Sequence, residues 1–287
     1  MSAAALSGRS GPARAALLKA RKYLAAASTS ARSRLAYPGE LFGSVLTYCL
    51  FVFVFSRIWR SVYAARPAIA GYDYAASVWY FVAAEIPMFG SAGFFWELAG
   101  DIKSGQVAYL VSRPYSFVGY RLAEAMGGSL AAALPMAAAG LAMGTIAAGP
   151  APIASTAQAA ALAASLLMAL CLQFLLQLAI AMSAFWLEEN AAFFWIYQKI
   201  GLVAGTLLPL EFLPDWASRI VRWTPFPALS YAPARIAAAW QAEGGAAGAA
   251  TGAAGLLGLQ AAWIAVAALL CLAVYDRGRA KLTSQGG

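Results

Sequence analysis

Six long apolar runs, separated by short polar breaks, decide what this chain can fold into. They cover residues 41–58, 74–96, 122–148, 157–187, 191–208 and 254–275. A helix needs about 20 mostly apolar residues to cross the hydrocarbon core of a bilayer, and each run is close to that length or longer. Only 11% of the 287 residues are charged, whereas soluble domains carry about 25%. A chain this poor in charge cannot cover a water-facing surface. The sequence therefore predicts an all-α polytopic membrane protein with six transmembrane helices. A membrane domain over 41–276 follows a basic segment over 1–40 and precedes a short tail over 277–287.

In a soluble protein the net charge of +8 would suggest nucleic acid. Here its distribution bears on topology instead, and no nucleic-acid partner is expected. Residues 1–40 hold seven basic side chains, and the first acid is Glu40. Leu17, Leu18, Tyr23, Leu24 and Leu35 are scattered among them. This suits an amphipathic helix lying on an anionic inner leaflet. An organellar transit peptide is the competing reading, because the segment is rich in Arg and Ser. A cleaved signal peptide fits poorly, since no uninterrupted apolar core follows the first charges. Six crossings put both termini on one side. With the termini inside, thirteen of the twenty Lys and Arg fall on inner segments and six on outer ones, leaving Lys199 within the fifth run. That bias predicts a multi-pass membrane protein with both termini and the Asp101–Pro114 stretch in the cytoplasm.

Asp101–Pro114 is the extended polar run of the first half. Its charges could not enter hydrocarbon cheaply. Ile102, Val107, Leu110 and Val111 recur at helical spacing, so a short amphipathic helix tethered between two crossings is expected, with a solvated loop as the plainer alternative. Pro114 disfavours helix at Arg113 and closes the unit. The stretch Leu208–Pro233 is of another kind. It has five prolines, among them Pro209 and Pro214, together with Glu211 and Phe212. It is apolar enough to enter a membrane and too broken to cross it. Two short helical pieces dipping in from the outer side are expected. Such backbone survives at depth only against protein or a wet cavity. An interfacial loop anchored by Trp216 and Trp223 is the alternative.

Catalytic chemistry is poorly provided for. The sequence has no histidine, which removes the commonest general base and metal ligand. Cys49, Cys171 and Cys271 lie far apart in apolar runs and read as small buried hydrophobes. No GxxxxGK[ST], GxSxG, HExxH or CxxC motif is present. No catalytic, cofactor-binding or metal-binding residue is assigned. Glu85, near the centre of the second run, is a functional candidate because a mid-membrane carboxylate is expensive. Glu211, where the fifth run meets the broken stretch, is the second. Both read equally well as structural hydrogen-bonding groups.

The stretch Trp96–Glu124, WELAGDIKSGQVAYLVSRPYSFVGYRLAE, resembles the permease subunits of ABC transporters of the ABC-2 type, in their small six-span branch. The matching positions are Asp101-Ile102-Lys103, Gly105, Leu110 and Arg113-Pro114. Pro-Leu-x-Phe-x-Pro over Pro209 to Pro214 and Pro-Phe-Pro over Pro225 to Pro227 match too, and Gln285-Gly286-Gly287 adds a little. The likeness runs from about Ala20 onward and departs at Arg235 to Gly255. It implies an ABC-2 exporter fold, with a coupling helix over 101–113 that docks on a separate nucleotide-binding ATPase through Asp101, Ile102, Lys103, Gly105, Val107, Leu110, Arg113 and Pro114. It also implies an N-terminal connecting helix and a re-entrant extracellular hairpin over 208–233. Glu85, Pro209, Glu211, Phe212 and Pro214 would then be pathway or gate candidates. Two permeases, identical or homologous, would pair around the pathway, with ATP and Mg on the partner subunits. Competing readings are an ion-coupled secondary transporter using Glu85 and a membrane-embedded transferase.

Overall fold

The structure, a computed structural model, describes residues 12–91, 93–107, 115–240 and 245–285, and these are overwhelmingly helical. Helix α1 spans Pro12–Ala36 and α2 spans Pro38–Ala65. Helices α3 (Tyr74–Gly90) and α4 (Phe94–Lys103) follow, then α5 (Phe117–Ala148) and α6 (Thr156–Met182). The second half holds α7 (Ala191–Gly201), α8 (Asp215–Arg222), α9 (Ala232–Ala238) and α10 (Gly245–Gln285). Two π-helical turns, Leu202–Thr206 and Pro227–Tyr231, extend α7 and lead into α9. Among the described residues, five stretches are long and apolar enough to cross a membrane: Pro38–Ala65, Tyr74–Lys103, Phe117–Ala148, Thr156–Phe185 and Ala250–Gly278.

Several boundaries differ from the sequence expectation. The first crossing continues past Ile58, so Arg57, Trp59, Arg60 and Tyr63 are helical. The second is two helices. Pro87 lies inside α3, and the break comes after it, where Gly93 takes φ +101. Only glycine adopts that conformation without strain. The polar run does not begin a helix of its own. Asp101-Ile102-Lys103 is the last turn of α4, which stops at Ser104 and Gly105 (φ +75); helix resumes at Gln106. The fifth run forms α7 and one π turn, and it is not among the five stretches long and apolar enough to cross. The Gly-rich stretch after Gln241 becomes helix from Gly245, because its alanines favour helix more than its scattered glycines oppose it.

Contacts define two ends. At one, Phe117 stacks on Tyr275 (5.3 Å between centroids), and Gly278 sits against Phe185. Phe194, at the start of α7, stacks on Phe95 of α4 (4.3 Å). At the other, Phe212 meets Trp59 and Tyr72, and the Tyr74 hydroxyl donates to Ala147 O. We call these the Asp101 end and the Tyr72 end. Both α1 and the last turns of α10 lie toward the Asp101 end.

Helix α1 is more than a surface helix. It makes the most extensive helix pair of the structure, against α5. Its packing face is a stripe of Tyr23, Ala26, Ala27, Ser30 and Arg34 at helical spacing. Leu24 and Leu35 share a second face and are exposed, while Arg21 and Arg32 share a third. The backbones approach so closely that a Cβ on Gly127 would fall on the Ala27 carbonyl. The Gly140/Gly144 pair works differently. The Tyr48 hydroxyl and the Trp79 ring fill those positions, and Tyr48 donates to Val82 O (2.9 Å).

Gly127→Val should displace α1 from α5. Overpacking costs about 1–3 kcal/mol, so thermal unfolding in detergent should shift down and trypsin should cut at Arg21 and Lys22 sooner. Gly39→Ala, where a Cβ meets nothing within 4 Å, should leave both readouts unchanged.

Candidate functional site

At the Asp101 end, the first turns of α5 carry Arg121, which is 8% exposed. Its Nη2 pairs with Asp101 Oδ2, while Nη1 donates to Glu124 Oε2 at 3.0 Å and Glu97 Oε1 at 3.3 Å. One planar guanidinium thus ties the last two turns of α4 to α5. The fork geometry suits several carboxylates at once in a way a lysine cannot match. Around this cluster Ile102 and Val107 are buried with Phe95, Leu98, Phe117 and Val118. Lys103 and Gly105 face outward. Of the predicted coupling residues, then, Asp101, Ile102 and Val107 anchor the turn and Lys103 and Gly105 present it. Leu110, Arg113 and Pro114 lie outside the described residues.

The short break between α6 and α7 belongs to the same end. Glu189 Oε1 accepts from the Ala191 backbone N–H (2.9 Å). That bond, and then the nearby Lys103 ammonium, hold the Glu189 carboxyl below its ordinary range. Arg34 reaches across the α1–α2 junction to Glu40 (2.5 Å).

At the Tyr72 end, Pro209 and Pro214 sit just before a 3-10 turn at Leu210–Phe212 and α8, respectively. Pro209 is buried and Pro214 exposed. Glu211 Oε1 receives the Arg235 guanidinium and the Tyr231 hydroxyl (2.6 Å), and Arg235 also donates to that hydroxyl (2.6 Å). Phe212 wedges against Trp59 and Tyr72. Beyond Phe212, helix α8 buries no residue, yet Phe226 contacts Tyr197 and Gly201 of α7. The chain then passes Thr206, bonded to Ser230 (3.3 Å), and reaches Ile236, whose carbonyl accepts from Gln158 (3.0 Å). Helix continues five residues beyond the expected boundary at Pro233, to the end of α9 at Ala238.

Glu85 lies in the middle of α3, 2% exposed. Among the described residues its Oε1 has no hydrogen-bond partner and no ion pair includes it. The structure therefore sets Glu85 apart from both Glu211 and the Arg121 cluster.

Sequence reasoning missed the polar face of α6. Gln158, Ser165, Gln173 and Gln177 recur at helical spacing and are buried. Gln158 ties Pro152 and Ile236 together (3.0 Å each). Ser165 and Gln260 bond each other, and Gln260 also donates to Ala228 O (2.8 Å). Gln173 accepts from Tyr197 (2.5 Å), and Gln177 donates to Ser91 (3.3 Å). Four polar side chains along one side of an apolar run were the available signal.

A family model described as ABC-2 family transporter protein matches residues 41–286, leaving α1 ahead of the matched stretch. No curated protein matches the chain at a significant level.

Arg121→Met should leave three carboxylates facing one another. Removing one partner of a buried ion cluster costs about 3–5 kcal/mol; with Glu97 largely exposed, about 3 kcal/mol is expected. Arg121→Lys keeps the charge without the fork and should fall between, as measured by unfolding in detergent.

Proposed function

The chain belongs to the ABC-2 transporter family and is a membrane permease of an ABC-type transporter; from that premise we propose that it forms the pathway of an exporter driven by separate ATPase subunits. The observation that carries this reading is the turn at Asp101–Val107. Its inner side is fixed by Arg121 and apolar packing, and its outer side presents Lys103, Ser104, Gly105 and Gln106. A protrusion that is rigidly rooted and polar at the tip suits docking on a cytosolic partner. Closure of two ATPases on ATP would push this turn. Helix α4 would carry the push to α5 through Arg121, and thence to α1. The nucleotide and its Mg belong to the partner, and this chain is the two-state element that the partner biases.

We read six crossings, the fifth being α7 with its π turn. Support comes from the contacts: α7 starts beside Phe95 at one end and leads to Phe212 beside Tyr72 at the other. The segment from Leu208 to Ala238 is then a re-entrant hairpin, because Phe226 lies at the level of Tyr197 between two visits to the Tyr72 end. Glu211 with Arg235 and Tyr231 would clamp that hairpin as an outer gate, flanked by Pro209, Phe212 and Pro214. The Asp101 end is cytoplasmic in this reading, matching the basic bias, in a bacterial inner membrane. A second permease copy or a homologue completes the pathway.

Lys103→Glu, at an exposed position, should change unfolding by less than about 0.5 kcal/mol. In proteoliposomes with the ATPase subunits it should lower transport severalfold relative to ATP hydrolysis. Undiminished transport would remove the turn from the coupling step. Glu85→Gln should slow transport if this carboxylate moves with, or contacts, the substrate. Normal transport with raised thermal stability would assign Glu85 to the packed core alone.

A further inference from the structure

We propose that a cleft at the Asp101 end, walled by α1, α2, α4 and α5, binds the zwitterionic head group of an amphiphile, a phosphate joined to an amine. The cleft measures about 430 Å³, within the range of about 300–1,000 Å³ found for ligand sites. Its walls carry both signs of charge. Arg121 spends Nη1 and Nη2 on three carboxylates, yet its buried Nε has no acceptor among the described residues. A buried guanidinium N–H left open is costly and marks a place for an oxygen acceptor. Hydroxyl donors stand nearby on α1 at Thr29, Ser30 and Ser33.

The opposite requirement is present as well. Glu40, Glu97 and Glu124 outnumber Arg34 and Arg121 on the cleft wall, and the Glu97 side chain is 62% exposed. Three carboxylates would repel a simple anion. A simple cation would leave Nε unanswered. A phosphate beside an amine meets both conditions, with the phosphate toward Arg121 and the hydroxyls and the amine toward Glu97. Phe94, Leu98 and Phe174 supply an apolar wall for the tail. The occupant would lie against the guanidinium that holds Asp101, so its presence would bias the last turn of α4. The inference rests on the membrane assignment and not on ATP-driven transport, so it is tested on this chain alone.

The full chain, purified in a neutral maltoside detergent, would be mixed with phosphatidylethanolamine, phosphatidylglycerol or a dialkyl-trimethylammonium lipid and weighed by native mass spectrometry. One phosphatidylethanolamine should be retained at least about tenfold better than either single-charge lipid. Glu97→Gln should reduce that retention, and Ser33→Phe, which leaves the ion cluster untouched, should do so by narrowing the cleft. Unchanged circular dichroism would show that both variants remain folded. Soluble phosphoethanolamine, lacking the tail, should displace the lipid only at about hundredfold excess or more. Equal retention of all three lipids, preference for either single-charge lipid, retention unaffected by Ser33→Phe, or displacement by soluble phosphoethanolamine at equal concentration would each overturn the proposal. None of these results would bear on whether the chain couples to an ATPase.

Discussion

One guanidinium holds the Asp101 end together. Arg121 gathers Asp101, Glu97 and Glu124 at the junction of α4 and α5. A guanidinium this enclosed is tolerable because carboxylates surround it, Asp101 and Glu124 partly buried and Glu97 at the surface. The cluster joins the exposed turn that follows Asp101 with α5, the helix on which α1, α2 and α3 pack. Any force on that turn enters the bundle through this charge cluster and the apolar packing beneath it. The α1–α5 contact, with Ala27 against Gly127, carries it on to the N-terminal helix.

A second constraint comes from the apolar interior. Water is scarce there, so polar groups must find partners within the chain. Helix α6 answers this need with a buried polar face on which Gln177 Oε1 still lacks a partner among the described residues, and each of its side chains reaches a different element: the Pro152 turn, α10, α7 and the end of α3. Other bonds hold the two π turns. Thr206 and Ser230 bond across them, and Tyr80 donates to the Gly205 carbonyl (3.1 Å). π turns are rare, and when single they often mark functional positions. Two packed against each other at the base of the broken segment, below the Glu211–Arg235 pair, put the irregular backbone where it is enclosed by protein.

The proposed mechanism joins these two regions. The Asp101 end has an exposed polar tip on a fixed root. The Tyr72 end has an ion pair with a phenol hydroxyl that ties the start of the broken segment to its last helix. Helices α3 and α7 run between them. Glu85, a buried carboxyl group in α3, belongs to neither region.

Much of this was legible in the sequence. Apolar runs of membrane-spanning length and scarce charge required a helical membrane bundle, because the bilayer leaves unsatisfied backbone no alternative. Prolines 209, 214, 225, 227 and 233 foretold a broken segment, because proline cannot continue a helix past its first turn without losing a hydrogen bond. Local rules stopped there. The break at Gly93, the absorption of Asp101–Lys103 into α4 and the docking of α1 depend on what lies across from each residue, and periodicity carries no such information. Nor could spacing show that Arg121 would meet Asp101 and Glu97, twenty and twenty-four positions away, or that Arg235 would meet Glu211. Composition fixes the solvent that a segment prefers, whereas the partner of a buried charge is fixed only when the helices come together.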